Sequence, residues 1–336
     1  MATSRDIARL AGVSQATVSR VLQGRANVSP HTRQHVLDVV QETGYVADEQ
    51  ARALRTRRSG TVGVVTGSIT NPFYPALLTS LGRAITARGL RMAVWTADMP
   101  SGESAAVEAI RGRLVDGLIF TTAIPESEAL ADALATSLPV VLVNRTIDGI
   151  DCDQVSDANV AGGMLAARYF IEHGRHDAAV VGGNEPISTG RERRQGFVRE
   201  YRSNGLKLGK ERVPECEFDH DAARDVGIKL LDSSSPPSAV FCVNDLIAFG
   251  ILDAAARLGI RVPDDVWVIG YDDVAMAAWE IFDLTTLRQP VSDMAETTVD
   301  LLMARIAGTR TTYEHRRFAA ELVIRGSTGW ASLSRS

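Results

Sequence analysis

The chain is predicted to be an α/β protein: an all-helical head of helix-turn-helix type, followed by two Rossmann-like subdomains built on parallel sheets. Three observations predict this. The opening residues hold two short helical patterns separated by Gly12, each with a capping residue in front. From Thr61 onward, short β-branched runs alternate with helical stretches, which is the pattern of parallel strands covered by helices on both faces. Finally, 336 residues suffice for two or three domains, and seven strand-like runs suit two sheets better than one.

Thr3 and Asp6 have capping-box spacing at the start of the first helix, and Ile7, Leu10 and Ala11 give it one apolar face. Gly12 ends it, and Val13 can plug the gap to the next helix. Ser14 can cap that second helix, where Val18, Val21 and Leu22 repeat the apolar spacing. Gln15, Ala16, Thr17, Ser19 and Arg20 are left outside, and such side chains suit base edges and phosphates. Ser29 and Pro30, a cap and a first-turn proline, open a third helix to about Thr43, with Val36, Val39 and Val40 inward and Gly44 as its stop. Residues 48–57 have the length of one more short helix, and residues 57–60 read as a linker. The strand-like runs are residues 62–66, 91–95, 117–121, 140–143, 178–181, 239–243 and 266–269. Helical stretches begin near Phe73, Glu103, Glu126, Asn159, Ser188, Ala222, Asp245 and Val291.

Composition narrows the function classes. The net charge of −5 conceals nine arginines against five acids in residues 1–58, a basic head on an acidic body. That asymmetry fits a nucleic-acid-binding arm on a body that does not itself touch DNA. No apolar run is long enough to cross a membrane, and no signal-like pattern opens the chain, so a cytoplasmic location is expected. Cys152, Cys216 and Cys242 are far apart and mostly within apolar runs, which predicts buried free thiols. The six histidines have no ligand spacing; His31 and His35 are four apart, but on a helix of the head where a solvated face is the simpler reading. No phosphate loop, nucleophile elbow or metal spacing is present, so no cofactor, metal or catalytic residue is expected.

Several short motifs occur in a shared order. The head carries Ile7-Ala8-Arg9-Leu10-Ala11-Gly12-Val13-Ser14, Thr17-Val18-Ser19-Arg20-Val21-Leu22 and Val28-Ser29-Pro30. The body carries Asn71-Pro72-Phe73-Tyr74, Asp116-Gly117-Leu118-Ile119, Val143-Asn144-Arg145, Arg191-Glu192-Arg193, Asn244-Asp245, Gly270-Tyr271-Asp272-Asp273 and Gln289-Pro290. In these residues the chain resembles the LacI/GalR family of bacterial transcription regulators, essentially from end to end. The resemblance implies a periplasmic-binding-protein-like core, a homodimer, and affinity for a pseudo-palindromic operator set by a small effector. The implied organisation is a head over residues 1–46, a hinge helix and linker over 47–60, a first effector subdomain over 61–160 plus 291–322, and a second over 161–290 plus 323–336. Hinges are expected near residues 160–163, 289–290 and 322–323.

By the same resemblance, Gln15, Ala16 and Arg20 would meet bases, with adenine, thymine methyl and guanine as their natural partners. Thr17, Ser19 and Asn27 would hold phosphates. Leu54 would wedge between base steps in the minor groove; packing on the effector domain is the alternative. Ala47 and Asp48 depart from the family's proline and asparagine there. Phe73, Tyr74, Thr189, Arg193, Phe218, Asn244 and Asp272 would line an effector cleft at the carboxyl ends of the strands. Arg193, Asn244 and Asp272 offer a fork, an amide and an acceptor suited to vicinal hydroxyls, and the aromatic residues offer faces for a sugar ring. Asn144, Asp157 and Trp279 are further candidates. Taken singly, Asp272 and Asp273 would read as turn formers and Arg193 as one of several surface charges. Gly67 and Ser68 replace the family's proline and aspartate beside the cleft. The rival functions are a solute-binding protein of the same fold and, further off, a sugar-metabolising enzyme. With no leucine heptad after Gly326, a dimer is expected rather than a tetramer.

Overall fold

The computed structural model describes residues 2–22, 27–45, 58–97, 102–136, 138–183 and 186–329. Residues up to Ser59 and those from Gly60 form two separate compact units. In the head, the Thr3 hydroxyl accepts the Asp6 amide and the Asp6 carboxylate accepts the Thr3 amide, closing the capping box of α1 (Ser4–Leu10). The Ser14 hydroxyl accepts the Thr17 amide at the start of α2 (Gln15–Leu22). Ser29 caps α3 (Pro30–Thr43), and Gly44 ends it in the left-handed conformation at φ 60°. Ile7, Ala8, Ala11, Val18, Val21, Val36 and Val39 close one small core. Burying each of its larger side chains contributes about 1.5–3 kcal/mol, an upper estimate. Leu10 corrects the expected face: it is 56% exposed, because the buried stripe runs through Ile7, Ala8 and Ala11 instead. Leu22, at the end of α2, is also largely outside. The expected hinge helix, with Leu54, lies outside the described residues.

From Gly60 the strand–helix alternation produces two sheets. The first contains β1 (Thr61–Thr66), β2 (Arg91–Thr96), β3 (Gly117–Phe120), β4 (Val140–Val143), β5 (Asp153–Asp157) and β10 (His315–Phe318) in the order β10-β5-β4-β3-β1-β2, parallel throughout. The second contains β6 (Ala178–Val181), β7 (Ala239–Cys242), β8 (Trp267–Asp272), β9 (Thr285–Arg288) and β11 (Glu321–Val323) in the order β11-β9-β8-β7-β6, with only β11 antiparallel. Apolar strands such as β4 and β7 are buried along their whole length, as parallel strands covered on both faces must be. Helices α4 (Phe73–Ala87) and α11 (Val291–Ile306) pack together on the first sheet. Helices α7 (Asn159–Glu172) and α8 (Ser188–Ser203) pack together, as do α9 (His220–Leu231) and α10 (Asp245–Leu258), on the second.

The chain passes between the lobes three times. The first passage is at Ala158, between β5 and α7, not at residues 160–163, which are already inside α7 and locked against α8. The second is at Gln289 and Pro290, between β9 and α11. The third is at residues 319–320, between β10 and β11; Leu322 and Val323, expected there, already pair with β9. Ala158 and Pro290 share one backbone shape, φ −78° with ψ 63° and 64°, close to an inverse γ-turn. The Ala158 amide donates to the Phe318 carbonyl oxygen at 2.6 Å, which ties the first passage to the third.

Candidate DNA-reading helix and ligand cleft

On α2, Val18 and Val21 are buried in the head core, so the opposite face is fixed outward. Gln15, Ala16 and Arg20 are exposed on that face, and Thr17 and Ser19 are half-buried at its margin. Thr17 is tied locally, its hydroxyl 2.9 Å from that of Ser14. Asn27 is exposed in the turn before α3. The helix thus presents an amide, a methyl group and a guanidinium to one side, a set that can address base edges in a major groove.

The second site lies between the two lobes, in a cavity of about 120 Å³. The first lobe supplies Gly67, Ser68, Asn71, Phe73, Tyr74, Asn144 and Arg145; the second supplies Thr189, Arg193, Phe218, Asn244 and Asp272. All seven residues expected to bind an effector therefore border one cavity. Asn144, a secondary candidate, joins them. Trp279 does not; it is 55% exposed elsewhere. Asp157 lies beneath the site, accepting the Tyr271 hydroxyl. Arg145, quoted above only as part of a motif, was missed as a site residue; its place two residues past the end of a buried apolar strand was the available signal.

Close packing places the central arginine. A Cβ on Gly163 would lie 2.0 Å from the Arg193 carbonyl oxygen, and one on Gly196 would lie 2.0 Å from the Val160 carbonyl oxygen. Only glycine lets α7 and α8 approach this closely. Arg193 is thereby held 2% exposed, with Nε donating to Asn159 Oδ1 at 2.8 Å and Nη1 donating to the Val243 carbonyl oxygen at 2.8 Å and to Asp272 Oδ1 at 3.1 Å. Its guanidinium carbon stands 3.6 Å from the Tyr271 ring centre. Asp272 Oδ1 also accepts Gln289 Nε2 at 2.6 Å. The ion pair is therefore bonded to the residue after the first passage, Asn159, and to one within the second, Gln289.

Burial outweighs the pull of Arg193 and Gln289 on Asp272 and pushes its carboxyl up to about 6. Asp245, fully buried and facing Asp272, is pushed well up, although it accepts the Thr286 hydroxyl at 2.5 Å and the Val274 amide at 2.9 Å. Asn144, Asp272 and Asp273, at strand ends beside the cleft, have φ of 75°, 116° and 53°. Non-glycine residues in that region store about 1–3 kcal/mol of strain each, and such strain concentrates at functional sites.

Several polar atoms remain open toward a ligand. Asn244 uses Oδ1 to cap α10 at the Ile247 amide, 2.9 Å away, and makes no bond through Nδ2 among the described residues. Asp272 Oδ2 and Arg193 Nη2 likewise have no partner among them. A donor, an acceptor and an amide thus converge beside the rings of Phe73, Tyr74 and Phe218. A larger groove, about 960 Å³, runs beside the first passage past Asp148, Arg191, Glu192 and Arg317, but no aromatic ring lines it among the described residues.

The three cysteines are buried free thiols, and burial pushes Cys152 up to about 12, so none is a ready nucleophile. Among the described residues no cluster could hold a metal ion, and no helix is long and apolar enough to cross a membrane.

Comparison with known proteins gives the following. Residues 3–48 match the model of bacterial regulatory proteins of the lacI family, and residues 167–328 match a periplasmic binding protein-like domain. The HTH-type transcriptional repressor PurR of Pasteurella multocida is 31% identical over 330 residues, 97% of this chain and 98% of the relative. The solved structure of a CelR–cellobiose complex superposes with a TM-score of 0.75 at 28% identity, covering 97% of this chain and all of that one. The lac repressor dimer bound to operator and the anti-inducer ONPF superposes with a TM-score of 0.85 at 25% identity, covering 97% and 99%.

Proposed function

This chain belongs to the LacI family of bacterial regulatory proteins, a DNA-binding transcriptional regulator by that membership, and from this premise we propose that it is a cytoplasmic repressor controlled by a carbohydrate effector. The observation that carries the effector half is the cleft itself. Open atoms of Arg193, Asp272 and Asn244 converge beside three aromatic rings in a cavity bordered by both lobes. A vicinal diol can accept from Arg193 Nη2 and donate to Asp272 Oδ2, while its ring lies against Phe218, Phe73 or Tyr74.

The route from effector to DNA follows from the same bonds. Arg193 and Asp272 are tied to Asn159 and Gln289 at two of the three passages between lobes. A ligand that re-aims the pair shifts the bonds that set the angle between the lobes, and with it the population able to hold DNA. We propose a homodimer, each subunit reading a half-site through Gln15, Ala16 and Arg20, held by phosphate contacts from Thr17, Ser19 and Asn27, with Leu54 wedging at the centre.

Two measurements test this. Selection from a random duplex library should enrich a rough palindrome; recovery of no symmetric sequence would count against paired half-sites. A thermal-shift screen of sugars and their derivatives, repeated on Arg193→Ala, should find at least one that stabilises the wild type and not the variant. If no hydroxyl-bearing compound stabilises the protein, the carbohydrate reading fails. Turnover of any bound sugar would replace it with an enzyme.

A further inference from the structure

Arg145 is a cation in the cleft that no carboxylate offsets. Arg193 and Asp272 neutralise each other at 3.1 Å, whereas Arg145 forms no ion pair among the described residues. Its Nη1 reaches the Thr122 carbonyl oxygen and its Nη2 the Tyr74 hydroxyl, both at 3.2 Å, and its Nε is buried without a partner. The first-lobe wall otherwise offers neutral groups: Ser68, Asn71, Tyr74 and Asn144. The described lining of the cavity therefore carries one uncompensated positive charge.

We propose that the effector bears an anionic group, carboxylate or phosphate, at the end facing the first lobe, and that Arg145 reads it. This rests on the carbohydrate reading above and narrows it to a sugar acid or a sugar phosphate. The guanidinium is held by two neutral acceptors at the long end of the hydrogen-bond range. Turning its fork onto two anionic oxygens exchanges those bonds for charge-assisted ones and gives the orphaned Nε an acceptor. The Tyr74 hydroxyl, released from Arg145, becomes a second donor to the same group. The ligand's hydroxyls remain for Arg193, Asp272 and Asn244 on the opposite wall. A cavity of about 120 Å³ is below the range of about 300–1,000 Å³ typical of drug-sized ligands, so the occupant is compact.

The test uses the full-length protein and matched probes: glucose, galactose and ribose beside glucuronate, galacturonate, gluconate, glucose 6-phosphate and ribose 5-phosphate. Inorganic phosphate and acetate serve as bare anions. Binding is read by thermal shift and then by titration calorimetry. The expected result is that at least one acid or phosphate binds at least tenfold more tightly than its neutral parent and that the bare anions do not. The acid and phosphate arms show which anion is meant. Arg145→Gln should weaken that ligand roughly ten- to a hundredfold, the size of a lost charge-assisted bond, while Arg145→Lys keeps part of the affinity. If Arg145→Gln misfolds, the wild-type comparison between charged and neutral partners, and its loss with added salt, still decides. Neutral sugars binding as well as their charged partners would overturn the anion proposal and leave the carbohydrate reading standing. No binding by any member would overturn both.

Discussion

Asp272→Ala would leave the Arg193 guanidinium inside the cleft without its carboxylate. The two side chains are only 3% and 5% exposed, so water cannot take the place of the missing charge. Removing one partner of a buried pair costs about 3–5 kcal/mol, because the other is left uncompensated. Here Arg193 keeps Asn159 Oδ1, the Val243 carbonyl oxygen and the Tyr271 ring, and Gln289 loses its acceptor as well. The retained contacts put the expected loss at the lower end, about 3 kcal/mol. Urea unfolding at pH 7.5 reads it, followed by near-ultraviolet circular dichroism, with Trp267 packed in the second lobe's core as a reporter. The double variant Arg193→Met/Asp272→Ala should cost less than the sum of the two single changes, by at least about 1 kcal/mol, since neither charge is then left alone. A loss under about 1 kcal/mol for Asp272→Ala, or strictly additive effects, would refute the account of the pair as a mutually dependent buried unit.

Gly163→Ala should lower stability by about 1–3 kcal/mol or more, because its Cβ would fall 2.0 Å from backbone that cannot yield; an unchanged melting temperature would show that α7 and α8 can separate freely. Asp272 binds its proton more tightly when folded, at about 6 against an ordinary value of 3.8, so the proton-linked part of its contribution is fully present below pH 3.8 and is lost as pH rises through 6, leaving the ion pair and hydrogen bonds that Asp272→Ala removes at pH 7.5. The stability of the wild type relative to Asp272→Asn should therefore fall as pH rises from about 4 to 6 in unfolding titrations, and a relative gain by the wild type over that range would reverse the sign argued here. Thr3→Ala removes the hydroxyl that accepts the Asp6 amide, while the residue 3 amide still donates to the Asp6 carboxylate, and should destabilise the head by about 1 kcal/mol without moving the unfolding of the body. Gln15→Ala should relax preference at one operator position by about 1–3 kcal/mol in a base-substitution series; uniform weakening would assign Gln15 to phosphate instead.

What was legible in the sequence divides along physical lines. Caps and left-handed glycines in the head are local signals, so Thr3, Ser14, Ser29 and Gly44 mark its helices closely. Valine-rich strands announce burial on both faces. The strands that reading missed, β5, β9, β10 and β11, lack that signal. β5 reads Asp-Gln-Val-Ser-Asp yet is buried throughout, because Asp153 meets Arg305 Nε at 2.6 Å and the Glu314 amide at 2.8 Å, partners that lie about 150 residues away along the chain. β10, at the edge of its sheet, is half in solvent. In the cleft, five of the seven expected residues were motif members, Thr189 and Phe218 came from the resemblance alone, and the fold brings all seven to one cavity. Arg145 escaped notice because its importance is relational: only the structure shows that the other two charges lining the cavity, Arg193 and Asp272, pair with each other.

The discontinuity of the first lobe has a consequence for how the protein is made. Its sheet is covered on one face by α11 and bordered by β10, yet both are encoded after strands β6 to β9 of the second lobe. Between the end of β5 and the start of α11 lie 133 residues. At ~5–20 residues per second, a ribosome needs roughly 7 to 27 s to cross that interval. Through that time the nascent first sheet lacks the helix that seals it, while the second lobe emerges beside it, and a messenger truncated before Val291 would leave that sheet bare for good.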